Sequence, residues 1–513
     1  RFRKTPAVSI AETGAGRYLS ETLITETHAM KLNDPTLLTG RSYVDGAWID
    51  ADSGKTFAVT NPATGDVVAE CSDCGAAETA RAIDAAYRAQ KGYARLTAAD
   101  RASMLMTLYS LMVENIDDLA TILTMEMGKP WAEARGEIMY GASYVKWYAE
   151  EAPRIYGDTI PAPSPSKRLV VIKQAIGVVA AITPWNFPNA MIARKIAPAL
   201  AVGCTVVVKP AKQTPLSAFA LGVLAERAGF PEGVFNVLCG SSASKIGNEM
   251  CANTKVRKLT FTGSTEVGRL LMQQCSQDIK KLGLELGGNA PFIVFDDADL
   301  DAAVEGALGS KFRNAGQTCI CANRIYVQDG VYDAFAQKLA DKVAQLLVGD
   351  PFSSSVAIGP MIDEIGAAKA QSHIDDALAK GAQVLFGGFP HALGGSFFTP
   401  TVLTGVTQDM IVSKEETFGP VAPLFRFSTE DEVIGYANDT EFGLASYFYS
   451  RDIGRCWRVA EALEYGIVGV NDGLPSNAAA PFGGVKQSGL GREGSKYGAD
   501  DFLEIKYISM GGI

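Results

Sequence analysis

Between residues 178 and 276 the chain alternates, almost without interruption, between short β-branched runs and segments of helical length. Strand-like runs fall at 178–183, 205–209, 234–238 and 257–262, and helical patterns near 188–201, 214–228, 241–251 and 265–276 separate them. Few architectures accept such a pattern. Each parallel pair of strands needs a crossover, so successive βαβ units predict an α/β fold with a parallel, doubly wound sheet. Ligands of such sheets bind outside the carboxyl ends of the strands, where Asn186, Lys209 and Ser264 fall. A second α/β stretch follows, with strands at 292–295, 324–328 and 383–386 and helices at 299–313, 331–347 and 363–380. A chain of 513 residues exceeds one core, so two or three domains are expected, facing each other across a cleft.

Upstream, Tyr43–Ile49 predicts a hairpin with Asp45-Gly46 at its turn. Long helices are expected at 75–92, 97–115, 115–127 and 130–152. Pro161, Pro163 and Pro165 then punctuate a loop that leads into the strand-like Arg168–Lys173.

The chemistry centres on residues 311–324, with Cys319 in the middle. A nucleophilic cysteine requires thiolate character on an exposed, sharply turning backbone, whose amides can receive charge from a carbonyl oxygen. Asn314, Gly316, Gln317 and Thr318 suit that turn; a small buried hydrophobe is the alternative. The three histidines, His28, His373 and His391, lie in no stretch resembling a Cys/His or Ser/His/Asp site. The base is therefore expected to be a carboxylate. Glu285 sits in the apolar, glycine-rich Leu284–Asn289, where burial would raise its pKa toward neutrality; a glutamate that only caps a strand end is the other reading. Gly489–Gly494 fits G-x-G-x-x-G, yet it follows a turn rather than a strand. Strand 257–262 followed by Gly263-Ser264-Thr265-Glu266 and a helix is the better phosphate cradle.

A net charge of −10 argues against nucleic acid or an anionic membrane as partner. Lys173 and Pro184 interrupt the longest apolar candidate before it reaches the ~18 residues of a membrane span. Nine scattered cysteines do not form a secreted disulfide framework. Cys71-Ser-Asp-Cys74 lacks a second ligand pair, so no metal site is expected. Cytoplasm fits best, and a mitochondrial matrix second. Residues 1–29 are expected to be an extension of undetermined origin, too acidic for a transit peptide.

Glu285 in Leu-Glu-Leu-Gly-Gly and Cys319 in Gly-Gln-Thr-Cys pair with Pro184–Pro188, Phe261–Ser264, Glu416–Pro420 and Pro481–Gly484 in one order along the chain. In these motifs the chain resembles the aldehyde dehydrogenase superfamily over nearly its whole length. The resemblance implies two Rossmann-like domains and a small projecting β oligomerisation element. Residues 30–153 and 178–287 would bind dinucleotide, 288–485 would form the catalytic domain, and 154–177 with 486–513 would join copies into a homodimer or homotetramer. It also implies NAD(P)-dependent aldehyde oxidation through a cysteine thiohemiacetal and thioester. By the same resemblance Cys319 attacks, Asn186 and the Cys319 N–H hold the oxyanion, Glu285 activates water and Lys195 assists proton transfer. Thr183, Pro184, Trp185, Lys209, Gly263 and Ser264 would contact the cofactor, with Glu416 on the nicotinamide ribose and Phe418 beside the ring. A lone helical Lys195 could equally lie on a solvated face.

Where the family often carries a glutamate that repels a 2′-phosphate, this chain has Lys212, so NADP is expected over NAD. Arg194 and Arg313 flank the chemistry and are suited to clamp a substrate carboxylate. With 471–476 and 489–498 they make the chain look like the succinate-semialdehyde group, with Ser476 on the same carboxylate; glutarate semialdehyde is the runner-up. A structural ion pair is the alternative for each arginine. Cys321, two residues from Cys319, is a possible redox partner for it. A thioesterase or an inactive structural protein of this fold is the reading from a different class.

Overall fold

In the computed structural model, residues 31–513 are described; the extension expected over 1–29 lies outside them. Strands Val178–Ile182 and Thr205–Lys209 are buried at every residue, as continuous apolar β runs must be when helices cover both faces. They lie inside an eight-stranded sheet ordered Gly489–Leu490, Lys281–Glu285, Val256–Thr262, Val178–Ile182, Thr205–Lys209, Phe235–Val237, Ser42–Val44, Ala47–Ile49. The inner pairings are parallel. At one edge is the expected hairpin, whose turn places Asp45 and Gly46 at φ 54° and 77°, the paired left-handed turn that matches strand twist.

A seven-stranded sheet holds the second half, in the order Gln383–Phe386, Thr401–Val406, Val421–Phe427, Ala322–Gln328, Ala290–Val294, Ala445–Tyr449, Ile467–Val470. Only its Gln383–Phe386 edge is antiparallel. A separate three-stranded antiparallel sheet pairs Lys167–Ala175 along its full length with Leu503–Gly511, and with Asp158–Ile160 on its other side. The fold is thus α/β, with two Rossmann-like parallel-sheet bodies and a small β element.

One segment sits elsewhere than the sequence predicts. Gly489–Leu490, expected with the oligomerisation segment, closes the edge of the first sheet against Leu284–Glu285. An open strand beside Glu285 would leave N–H and C=O groups unpaired. Glycine is required at 489, where φ is 143° and a Cβ would overlap the Leu284 carbonyl.

Two helix N-termini at the carboxyl edge of this sheet differ in what fills them. Helix Leu216–Arg227 is capped from inside: buried Glu126 accepts the backbone N–H groups of Leu216 at 2.7 Å and Ser217 at 2.9 Å. Burial pushes the Glu126 carboxyl up to about 8. Helix Thr265–Cys275 instead begins at the open surface, with Ser264 Oγ accepting from Val267 N–H at 3.4 Å. A helix start with free N–H groups attracts an anion, so the open end at Ser264 is the available one of the two. Glu126→Ala should strand two buried N–H groups and cost about 3 kcal/mol in urea unfolding, whereas Glu126→Gln, which keeps an acceptor, should cost about 1 kcal/mol; equal losses would show that the cap is not what the carboxyl supplies.

Candidate active site

The cysteine turn is built by forcing backbone into an unfavourable region. Helix Leu300–Phe312 stops, and Asn314, Ala315 and Gly316 follow in the left-handed region at φ 54°, 54° and 74°. Such residues persist only when surroundings over-determine them. Asn314 Nδ2 donates to the Asn186 and Gln317 carbonyls at 3.0 and 3.2 Å. Gln317 Nε2 donates back to Asn314 O at 3.0 Å, and Gln317 Oε1 accepts from Ile362 N–H at 2.9 Å. Gly316 has no room for a Cβ, which would overlap Gly419 O.

This turn presents Cys319 to a cavity of about 430 Å³. Pro184, Trp185, Asn186, Arg194, Gly263, Ser264, Arg313, Glu416, Phe418 and Ser476 share its wall. Thr183, Lys195, Lys209, Lys212, Glu285 and Cys321 are not part of that wall. Cys319 is half-buried, while the other cysteines are buried. Asn186 Nδ2 donates to Gln317 O at 3.0 Å, which ties its side chain to the cysteine turn. Trp185 and Phe418 meet edge to face at 5.6 Å, with Phe418 at φ 54°. Glu416 accepts from Gly288 N–H at 3.3 Å, and burial pushes its carboxyl up to about 7.

A charged cluster joins Arg194 of the wall to residues outside it. Every residue of helix Ala190–Val202 is buried, Arg194 and Lys195 included, so Lys195 is not on a solvated face. Its ammonium donates to Thr262 Oγ1 at 2.6 Å and is ion-paired with Glu493. Glu493 Oε2 also stands 2.7 Å from Arg194 Nη2. Arg194, expected as a carboxylate clamp, therefore has its charge matched within the protein, although its Nε and Nη2 have no aligned acceptor. Its guanidinium lies 3.8 Å from the Phe482 ring centre. Arg313 differs: it is half-buried in the cavity wall, 5.4 Å from the Phe187 ring centre, and makes no ion pair among the described residues. Ser476 Oγ is buried without a partner beside it.

Glu285 ends strand Lys281–Glu285, buried, with one carboxyl oxygen lacking a partner. Its pKa stands well above the carboxylate range, first through burial and then through the charge of Glu493, against the pull of Arg194 and Lys195. The cofactor-side lysines divide. Lys209 is buried with its ammonium on Pro210 O at 3.1 Å, and burial lowers its pKa; Lys212 is exposed in the next turn. Thr183 is buried and donates its N–H to Lys209 O at 3.1 Å. Cys321 is buried and donates its thiol to Lys311 O at 3.1 Å, and both it and Cys319 are free thiols.

The model of the aldehyde dehydrogenase family matches residues 48–508. The chain belongs to the aldehyde dehydrogenase family. It is 63% identical over 484 residues to the glutarate-semialdehyde dehydrogenase of Pseudomonas aeruginosa, covering 94% of this chain and 100% of that one. It is equally 63% identical, over 482 residues and the same shares, to the succinate-semialdehyde dehydrogenase [NADP(+)] GabD of Escherichia coli. Among solved structures it superposes with a TM-score of 0.93 on the succinate-semialdehyde dehydrogenase of Burkholderia pseudomallei, 61% identical, covering 94% of this chain and 99% of that one.

For an aldehyde dehydrogenase, the residue that sequence reasoning missed is Glu493. It sits inside the G-x-G-x-x-G run at Gly489–Gly494, and it pairs with a lysine 298 positions away. The available signal was Arg194-Lys195 on an otherwise apolar helix, which demands a buried counter-ion. The environment of Cys319 also opposes the thiolate that a nucleophile needs: burial, with Glu416 and Glu285 adding to it, pushes the thiol up to about 12 against the pull of Arg194 and Arg313. Between pH 7 and pH 10 the iodoacetamide labelling rate of the Cys319 peptide should thus climb about tenfold per pH unit without levelling. A plateau by pH 8.5, seen by mass spectrometry, would show that the thiolate forms far more readily than this environment allows.

Proposed function

We propose that the protein oxidises a short aldehyde carrying a terminal anionic group, foremost succinate semialdehyde, to the corresponding acid with NADP. The observation that carries this reading is the cavity wall itself, where the unpaired Arg313 and the unsatisfied Ser476 hydroxyl share one space with Cys319. A carboxylate there would receive charge-assisted hydrogen bonds from both. Relatives at 63% identity are named for succinate, glutarate and 3-sulfolactaldehyde substrates. Glutarate semialdehyde is the second reading, since one methylene changes binding by only ~1–3 kcal/mol.

The cofactor fits the residues present. The open helix start at Ser264 suits a pyrophosphate, Gly263 leaves no bulk beside it, and Glu416 and the Trp185–Phe418 pair line the same cavity. When bound, NADP supplies the hydride acceptor. Cys319 Sγ, its thiol proton released to solvent water, bonds to the aldehyde carbon, and the oxyanion accepts from the Cys319 N–H and from Asn186 Nδ2. Loss of hydride from that carbon leaves a thioester on Cys319. Glu285 takes a proton from the water that attacks it, and Cys319 leaves as the acid forms. Lys195, ion-paired with Glu493, assists that proton transfer. Arg194 shapes the wall and steadies Glu493, so the carboxylate falls chiefly to Arg313. Free thiols at all nine cysteines fit a reducing cytoplasm. The exposed Ile505, Tyr507 and Met510 of the small sheet fit pairing with a second copy.

Arg313→Ala should lower kcat/KM for succinate semialdehyde by about a hundredfold while leaving butanal within about threefold; equal losses on both aldehydes would remove the carboxylate contact. Lys212→Glu should lower kcat/KM with NADP by about tenfold or more and spare NAD. Unchanged cofactor preference would place the 2′-phosphate away from residue 212.

A further inference from the structure

Helix Trp131–Glu151 enters the molecule beside the cysteine turn, and the residues around its start are charged although largely enclosed. Lys129 is 1% exposed. Its ammonium is ion-paired with Glu137, donates to the Asn186 backbone carbonyl at 2.9 Å, and stands 3.7 Å from the Phe187 ring centre. Glu137 in turn accepts the backbone N–H groups of Asn189 at 3.0 Å and Ala190 at 3.2 Å, where the helix bearing Arg194 and Lys195 begins. From the other side, Asn314 Nδ2 donates to the same Asn186 carbonyl at 3.0 Å, and Asn314 N–H donates to Glu133 at 2.8 Å. None of Lys129, Glu133 and Glu137 lines the cavity.

A buried ion pair is a poor way to gain stability, because apolar side chains of similar size do as well or better. What Lys129 supplies that a methionine would not is a strong donor to one particular carbonyl. Asn186 O thereby takes one donor from the loop side and one from the cysteine turn, which fixes its peptide plane relative to both. The side chain then spans to Gln317 O at 3.0 Å. An amide nitrogen has two N–H groups, so the second stays free in the cavity wall that Asn186 shares with Cys319.

We propose that Lys129 is a positioning residue, which, with Glu137, locks the Asn186 peptide so that the Asn186 amide keeps the spacing from Cys319 that an oxyanion requires. The proposal rests on the function above only in taking Asn186 as an oxyanion donor to a carbon bonded to Cys319.

Acylation of Cys319 by 4-nitrophenyl acetate tests this without cofactor or semialdehyde. The thiolate attacks the ester carbonyl, a tetrahedral oxyanion forms, and 4-nitrophenolate leaves as the thioester is made. The full chain, Lys129→Met, Asn186→Ala and the double variant are compared for acylation rate, with the NADP Kd from tryptophan quenching alongside. Lys129→Met should slow acylation about tenfold and leave that Kd within about twofold. With Asn186→Ala already present, it should add less than about twofold. Lys129→Arg should recover part of the loss. Losses that multiply in the double variant, a Kd that moves as far as the rate, or a Lys129→Met loss under about threefold would each overturn the proposal. Should Lys129→Met fail to fold with Glu137 left unpaired, Lys129→Met with Glu137→Gln takes its place under the same criteria. A full chain acylated by the ester that forms no NADPH with any anionic aldehyde would sink the proposed substrate reading alone; one not acylated at Cys319 would sink both.

Discussion

The structure turns on an electrostatic obligation: a wholly buried helix carries two adjacent cations, and a single carboxylate answers both. Arg194 and Lys195 could not remain in that interior unpaired, since an isolated buried charge costs far more than any packing around it returns. Glu493 therefore has to be brought in, and the loop that brings it also closes the first sheet through Gly489–Leu490 beside Glu285. One requirement thus fixes the edge of a sheet, the back wall of the cavity and the local field in which Glu285 titrates. The pKa of Glu285 is raised first by its own burial, and the charge of Glu493 adds to that.

The chemistry is divided between backbone and side chain in a consistent way. The Cys319 turn is a strained run of left-handed residues whose hydrogen bonds are made by Asn314 and Gln317 rather than by regular structure. Several side chains of this region, by contrast, keep free capacity: Arg313, in the cavity wall, makes no ion pair among the described residues, the Ser476 hydroxyl has no partner, and neither does one oxygen of Glu285, which lies outside the wall. Rigid backbone with unsatisfied side-chain groups is the pattern expected where interactions are reserved for a reacting ligand.

Much of this could be read from the sequence, for physical reasons that also say where reading stops. The parallel strands were legible because burial on both faces leaves uninterrupted apolar β runs, so 178–183 and 205–209 land on Val178–Ile182 and Thr205–Lys209. The cysteine turn was legible from local residue types. Glu493 was not, because its meaning comes from a partner distant in the chain, and its own neighbourhood imitates a glycine-rich phosphate loop. Lys129 and Glu137 were hidden for a related reason: on a helix, charged residues read as solvated, and only tertiary packing shows that these are enclosed. Arg194 was found but given an open partner, since no local pattern reports that its charge is already answered.

The placement of Glu493 and of the Leu503–Gly511 strand has a consequence for how the chain is made. Both close structures whose other parts lie in the first half: the helix of Arg194 and Lys195, and the strand Lys167–Ala175. Domains ordinarily fold from the N-terminus as they leave the ribosome. Here the first sheet is completed only by residues far downstream, Gly489–Leu490 at its edge and Glu493 beside its two cations. A chain without residues 489–511 would leave Arg194 and Lys195 without their counter-ion and both the Leu284–Glu285 and Lys167–Ala175 edges bare, so those residues complete structures begun about 200 to 340 positions earlier.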